Sequence, residues 1–211
     1  MSEDADDWGL DAHLRAGVAV YNAGHYHASH DAWEAWWLDL PDGDDERFLH
    51  GLIQFTAAVH HAHDRNWAGA TGLAGSAQGY LDPLPDDYHG VNLAAVRGWL
   101  AALERDPESI ERAPPLPLEL DGVALLPEEL EFPAAAIAAP MLAPDEETEA
   151  LLERAADYGR ADIEAGKTGS PFVSFLLAFL EGDDRPVVLQ RLREHVERRG
   201  HRESDVEGLF D

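Results

Sequence analysis

The sequence predicts an all-α protein: an antiparallel helical bundle followed by a smaller C-terminal helical module. Three observations carry this expectation. Apolar residues recur at three- and four-residue spacing through most of the chain, which is the period of a half-buried helix. Turn formers and prolines interrupt that pattern at helix-length intervals. A 45% apolar share in 211 residues is enough to close a core, yet no run approaches the roughly 18 apolar residues of a membrane span, so no membrane partner is expected.

The first helix is expected from Gly9 to Asn22, with Leu10, Leu14, Val18 and Tyr21 on one stripe. Asn22-Ala23-Gly24 turns the chain into a second helix, His25 to Leu38, which Pro41-Asp42-Gly43 ends. A third, Asp45 to Asp64, carries Phe48, Leu49, Leu52, Ile53, Phe55, Thr56 and Val59. Asn66-Trp67 opens a fourth that stops near Leu81, before Pro83 and Pro85, and a fifth runs from Val91 to Glu104. Between Ala113 and Pro144 seven prolines change the texture, and Leu118-Glu119-Leu120-Asp121-Gly122 reads as a short hairpin turn. The expected division is therefore an N-terminal bundle over 1–112, a Pro-rich surface connection over 113–144 and a helical module over 145–211. Within that module a helix spans Asp145 to Ala165, with Leu151, Leu152, Ala155, Tyr158 and Ile163 inward. Ser170 as N-cap and Pro171 at the first helical position start the next, whose all-round apolar run to Leu180 should be the module's buried centre. Pro186 opens the last helix, reaching Arg199-Gly200. Gly24–Ala28 and Arg65–Ala70 echo each other faintly, but two copies do not make a repeat array.

Acidic residues outnumber basic ones 42 to 15, for a formal charge of −27, and 14 of the 15 basic residues are Arg. The acids are spread over nearly every segment, as on a surface adapted to a salt-rich cytoplasm, where charges are screened over about 3 Å at molar salt. Such a field repels phosphate, so nucleic acid is an unfavourable partner. Met1-Ser2-Glu3-Asp4 is acidic with no apolar core, so no secretory leader is expected and a cytoplasmic protein is. The absence of Cys excludes disulfides, thiolate zinc sites and a Cys nucleophile.

Nine of the 11 histidines precede residue 90. His30 and Glu34 are four residues apart and share a helix face, with Trp37 a turn further on. His50, Gln54, Ala57 and His61 form a stripe on the third helix. The short connection at Pro41-Asp42-Gly43 makes the two helices antiparallel neighbours, which places His30 near His61 and Glu34 near Ala57 or Gln54. His25, His27, His60 and His63 read as surface residues. The tryptophans Trp33, Trp36, Trp37, Trp67 and Trp99 follow helical spacing and read as packing residues.

These residues also carry a resemblance. The segment from about Ala16 to Leu103 resembles the uncharacterised family called domain of unknown function 309. That family's signature is a His-Glu-x-x-Glu-x-x-Trp helix followed by a Gly-Leu-Ile-Gln helix ending in His. Here the positions are His30, Asp31, Glu34 and Trp37, then Gly51-Leu52-Ile53-Gln54 and His61, with Asp31 shorter by one methylene than the usual Glu. The resemblance implies a compact helical bundle and no defined activity. The acid-rich, Lys-poor chain with its C-terminal extension is similar to the salt-loving archaeal members.

Two readings of His30, Asp31, Glu34, Trp37, Gln54 and His61 follow. One is a non-catalytic binding or scaffold protein, in which a buried His/Glu/Gln network covered by Trp37 registers two helices. The other is a metal-dependent hydrolase-like enzyme, in which His30, Glu34 and His61 hold zinc, iron or manganese and leave a position to water. Metal-free acid–base work by His30 and Glu34 is a third option. The stretch Arg185 to Arg202 holds six Arg and two Glu, with Glu203, Asp205, Glu207 and Asp211 following. It is read as docking onto the acidic body, or onto a protein partner or second copy in a homodimer, rather than contacting nucleic acid through Arg191, Arg198, Arg199 and Arg202.

Overall fold

A computed structural model of the protein describes residues 8–207, with side chains described to residue 203. The acidic start Met1-Ser2-Glu3-Asp4, Asp211 and the side chains of Asp205 and Glu207 lie outside the described residues. The chain is all-α, with one two-stranded sheet among the described residues. It divides into two compact units, 1–126 and 127–211.

The first unit contains α1 (Gly9–Asn22), α2 (Ala28–Trp37), α3 (Asp44–His63) and α4 (Trp67–Leu81). A hairpin follows, β1 (Asp87–Tyr88) paired antiparallel with β2 (Val91–Asn92), then α5 (Leu93–Arg105) and a 3-10 turn, Pro107–Glu111. Asn66 and Asn92 cap α4 and α5, their side chains accepting from Gly69 N and Ala95 N. The core is Leu14, Val18, Tyr21, Trp33, Phe48, Leu52, Phe55, Val59 and Leu100, all essentially inaccessible. Trp33 fits because residue 17 has no side chain: a Cβ on Gly17 would sit 2.2 Å from the indole Nε1. Gly51 does the same for Leu81 across α3 and α4, at 2.4 Å. Trp36, Trp37, Trp67 and Trp99 are half-buried contact residues.

The Pro-rich stretch is not a free connection. Its first part, through residue 126, belongs to the first unit. Prolines remove backbone donors, so side chains fasten the segment instead. Asn22 donates to Leu118 O and Leu125 O and accepts from Leu118 N, each at 2.9 Å, and the Tyr21 hydroxyl donates to Leu116 O at 2.8 Å. Leu120 bridges Val123 across Asp121-Gly122, both at positive φ, so the short turn lies where the sequence places it. The rest of the stretch folds into the second unit, which begins with a 3-10 turn, Pro127–Glu129, and α6 (Ala134–Met141). The N-terminal unit is thus longer than 1–112, and the second starts well before residue 145.

The second unit continues with α7 (Glu146–Glu164), α8 (Pro171–Glu181) and α9 (Arg185–Glu207). Asp145 caps α7, accepting from Thr148 N at 2.8 Å. Leu152, Ala155, Phe172, Leu176, Phe179, Leu180, Leu192 and Val196 close its core. Ile163, expected inward, is exposed, because the buried stripe of α7 runs through Ala155, Gly159 and Asp162 and leaves the next position on the outer face. Ser170 stands at the N-cap position of α8 but makes no cap hydrogen bond. Its hydroxyl donates to the buried carboxylate of Asp162 at 2.8 Å, a charge-assisted bond that turns the side chain away from the helix N–H groups it would otherwise accept from. No helix among the described residues is long and apolar enough to cross a membrane.

Candidate metal centre

Side-chain pairing fixes how α2 and α3 run. Trp37, late in α2, meets Glu46 and His50 early in α3, while His27, just before α2, stacks on His60 late in α3 at 5.2 Å. The helices are therefore antiparallel, as expected. Their contact line selects a different set of residues from the predicted stripe. His60, not His61, reaches the start of α2, because packed helices cross at an angle and the seam runs obliquely over the α3 surface.

His61 turns to the α3–α4 corner. Its Nδ1 accepts from Asn66 Nδ2 at 2.8 Å, which occupies that lone pair and leaves the other nitrogen to carry the proton. Gln54 is half-buried, and among the described residues no hydrogen bond links His30, Glu34, Gln54 and His61. Trp37 lies elsewhere too: its indole N–H donates to Glu46 Oε1 at 2.9 Å and its ring packs on His50, which stacks on Tyr80 at 3.9 Å. The buried register network expected of these residues is not formed, since Asp31 and Glu34 are exposed and Trp37 covers a different group.

His30 gathers other neighbours. One nitrogen of His30 and one carboxylate oxygen each of Asp31 and Glu34 lie within 4.8 Å of one another. His30 Nε2 is 3.1 Å from Asp31 Oδ1, whereas its Nδ1 is buried with no protein partner. The His27 ring meets His30 edge-on at 4.6 Å. Burial holds the His30 imidazole below its ordinary value, with His27 and His60 adding to the depression while Asp31 and Glu34 oppose it. His30 is thus neutral at pH 7, the form that ligates metal. Beside it opens a pocket of about 500 Å³ lined by His25, Tyr26, His27, His60 and His63.

This is a small all-α unit with an imidazole–carboxylate group at the open end of a helix pair. Within it, residues 14–73 match the family model of the domain of unknown function DUF309. The match runs from within α1 to the middle of α4, starting just before and ending well short of the Ala16–Leu103 stretch over which the sequence resembles the family. No curated protein matches the chain.

Single-helix spacing is the signal that finds His30, Asp31 and Glu34. Nothing in the linear sequence marks His25, His27, His60 and His63 as one group. His25 and His27 precede α2 while His60 and His63 lie in the last turn of α3, and they converge only because those helices are antiparallel. His13 is also missed: it is buried, donates from Nδ1 to Ala32 O at 2.7 Å, and ties α1 to α2.

Proposed function

We propose that the first unit is a non-catalytic binding module for a divalent transition-metal ion, held by His30, Asp31 and Glu34. The observation that carries this is the convergence of one imidazole nitrogen and two carboxylate oxygens within 4.8 Å on an open surface. Zinc bonds such atoms at about 2.0–2.2 Å, which puts tetrahedral ligands about 3.4 Å apart. The group needs to contract by roughly 1 Å, which side-chain rotation of exposed Asp31 and Glu34 supplies. An imidazole in the set favours zinc, iron or manganese over calcium and magnesium. Two carboxylates beside a neutral imidazole also supply the charge that a divalent ion neutralises. The acid-to-base ratio of 42 to 15 supports work in a salt-rich cytoplasm.

The test is metal content by mass spectrometry on untagged protein, purified in high salt without chelator, beside a His30→Ala, Glu34→Gln double variant. Near-stoichiometric metal lost in the variant supports the reading. Metal-free protein that also takes up no zinc in calorimetry overturns it. A metal-dependent hydrolase on the same ligands is the second reading, favoured by the adjoining 500 Å³ pocket, which leaves room for a substrate. Zinc-dependent ester or phosphoester turnover that disappears in the double variant would decide for it.

A further inference from the structure

The second unit holds a pocket of opposite polarity. It encloses about 580 Å³ among α7, α8 and α9, and its nitrogen-bearing walls are Lys167, His195, Arg199 and Arg202 over an apolar floor of Pro171 and Phe172. Lys167 is the single lysine of a chain whose formal charge is −27. Two acids share the pocket, Asp162 and Glu203, and both are committed. Asp162 Oδ1 accepts from Lys167 Nζ and Arg199 Nη1, each at 2.7 Å, and Oδ2 accepts from Ser170. Glu203 accepts from Arg199 Nε at 3.0 Å and from the Tyr158 hydroxyl at 2.9 Å.

The donors are not used up in return. Lys167 spends one of its three ammonium N–H bonds on Asp162. Arg202 spends its Nε on Arg198 O at 3.1 Å, and among the described residues its two terminal nitrogens have no partner. The ring nitrogens of His195 make no hydrogen bond among the described residues, while the ring packs against Phe175 and Phe172. Arg199 is held over the Tyr158 ring at 4.2 Å, which fixes one cation of the wall, while Lys167 and Arg202 are exposed and their charged ends can turn to a ligand. Three side chains of fixed positive charge face two carboxylates that are already paired.

We propose that this pocket binds a small organic anion, with one phosphate or carboxylate group on a flat apolar body. Lys167 and Arg202 take the anionic oxygens, and Pro171 and Phe172 take the body. Arg supplies a planar fork for such oxygens and Lys a mobile point charge, and the two together suit either a trigonal or a tetrahedral group. The acidic surroundings repel extended polyanions, which keeps the site for compact ligands with one anionic group.

Calorimetric titration of the full chain at fixed chloride concentration tests this, with phenyl phosphate, benzoate and inorganic phosphate as separate probes. The expected result is 1:1 binding of phenyl phosphate, benzoate or both, and the one that binds identifies the anionic group. Arg202→Gln and Lys167→Gln should each weaken that binding about tenfold, the scale of one charge-assisted hydrogen bond. Arg193→Gln, which breaks a pair with Glu147 on the outer face, should leave it unchanged. Thermal melts of all three variants verify that they are folded. Absence of binding by both aromatic probes overturns the proposal. So does binding that Arg202→Gln and Lys167→Gln leave intact, or inorganic phosphate binding as tightly as phenyl phosphate.

Discussion

The two units handle polar side chains in opposite ways. In the first, His25, His27, His30, Asp31, Glu34, His60 and His63 lie close together with almost no mutual hydrogen bonding, and His30 keeps a buried nitrogen with no protein partner. In the second, Asp162 is buried and every oxygen it has is taken by Lys167, Arg199 or Ser170. Burial alone would raise the Asp162 carboxyl, but those partners outweigh it and hold the group below the usual carboxylate range. One unit therefore leaves lone pairs available to a cation, while the other spends its carboxylates on structure and leaves N–H donors over. A satisfied polar cluster thus acts as a fastening, and one with unspent groups is free to bind.

Mutation should separate the two most sharply at Asp162. Asp162→Asn removes the buried carboxylate from Arg199, which keeps Glu203, and should cost about 3 kcal/mol, the lower end for breaking a buried pair. Denaturant unfolding should show that loss. A change under about 1 kcal/mol would mean that the network is not a fastening. Next in size is Gly17→Ala, which drives a methyl into the fully buried Trp33 ring and should cost about 1–3 kcal/mol by overpacking. Its melting temperature should fall while zinc binding at the folded unit is unchanged.

The histidine cluster should respond in the reverse sense. His30→Ala should alter apo-protein stability by less than about 1 kcal/mol, as expected for a part-exposed group without hydrogen-bonded partners, while removing zinc binding. If it destabilised the protein as much as Asp162→Asn, the contrast between the units would fail. The smallest effect is with pH. A histidine whose folded-state value is depressed gives stability that is complete above the ordinary value of 6.5 and is lost as pH falls from there towards the folded value. Zinc affinity should accordingly fall off at a lower pH than for an ordinary imidazole of 6.5, and a fall-off centred at or above 6.5 would contradict the depressed imidazole.

The Arg-rich last helix illustrates what side chains can do without leaving their own unit. Arg193 pairs with Glu147, Arg199 with Asp162 and Glu203, and Arg198 with Glu194, while Arg185 donates to Phe179 O and lies over its ring. These contacts fit docking on the unit's own acids, while Arg199 and Arg202 also line the pocket.

Much of the fold was legible in the residues alone. Apolar spacing and the breakers at Gly24, Pro41-Asp42-Gly43 and Pro83 determine α1 to α4 within a few residues. Asn66 and Asp145 mark their helix starts because capping is a matter of three residues. The group of His30, Asp31 and Glu34 was legible for the same reason, being contained in one turn and a residue. What only the tertiary structure decided is everything that depends on how one helix crosses another. It chose His60 over His61 beside α2, gave Trp37 to Glu46 and His50, and turned the Ser170 hydroxyl from its own helix to Asp162. It also drew the Pro-rich stretch down onto Asn22. Helical periodicity fixes which residues share a face, but crossing angle and long-range partners fix which part of that face is covered, and those come from packing the whole core at once.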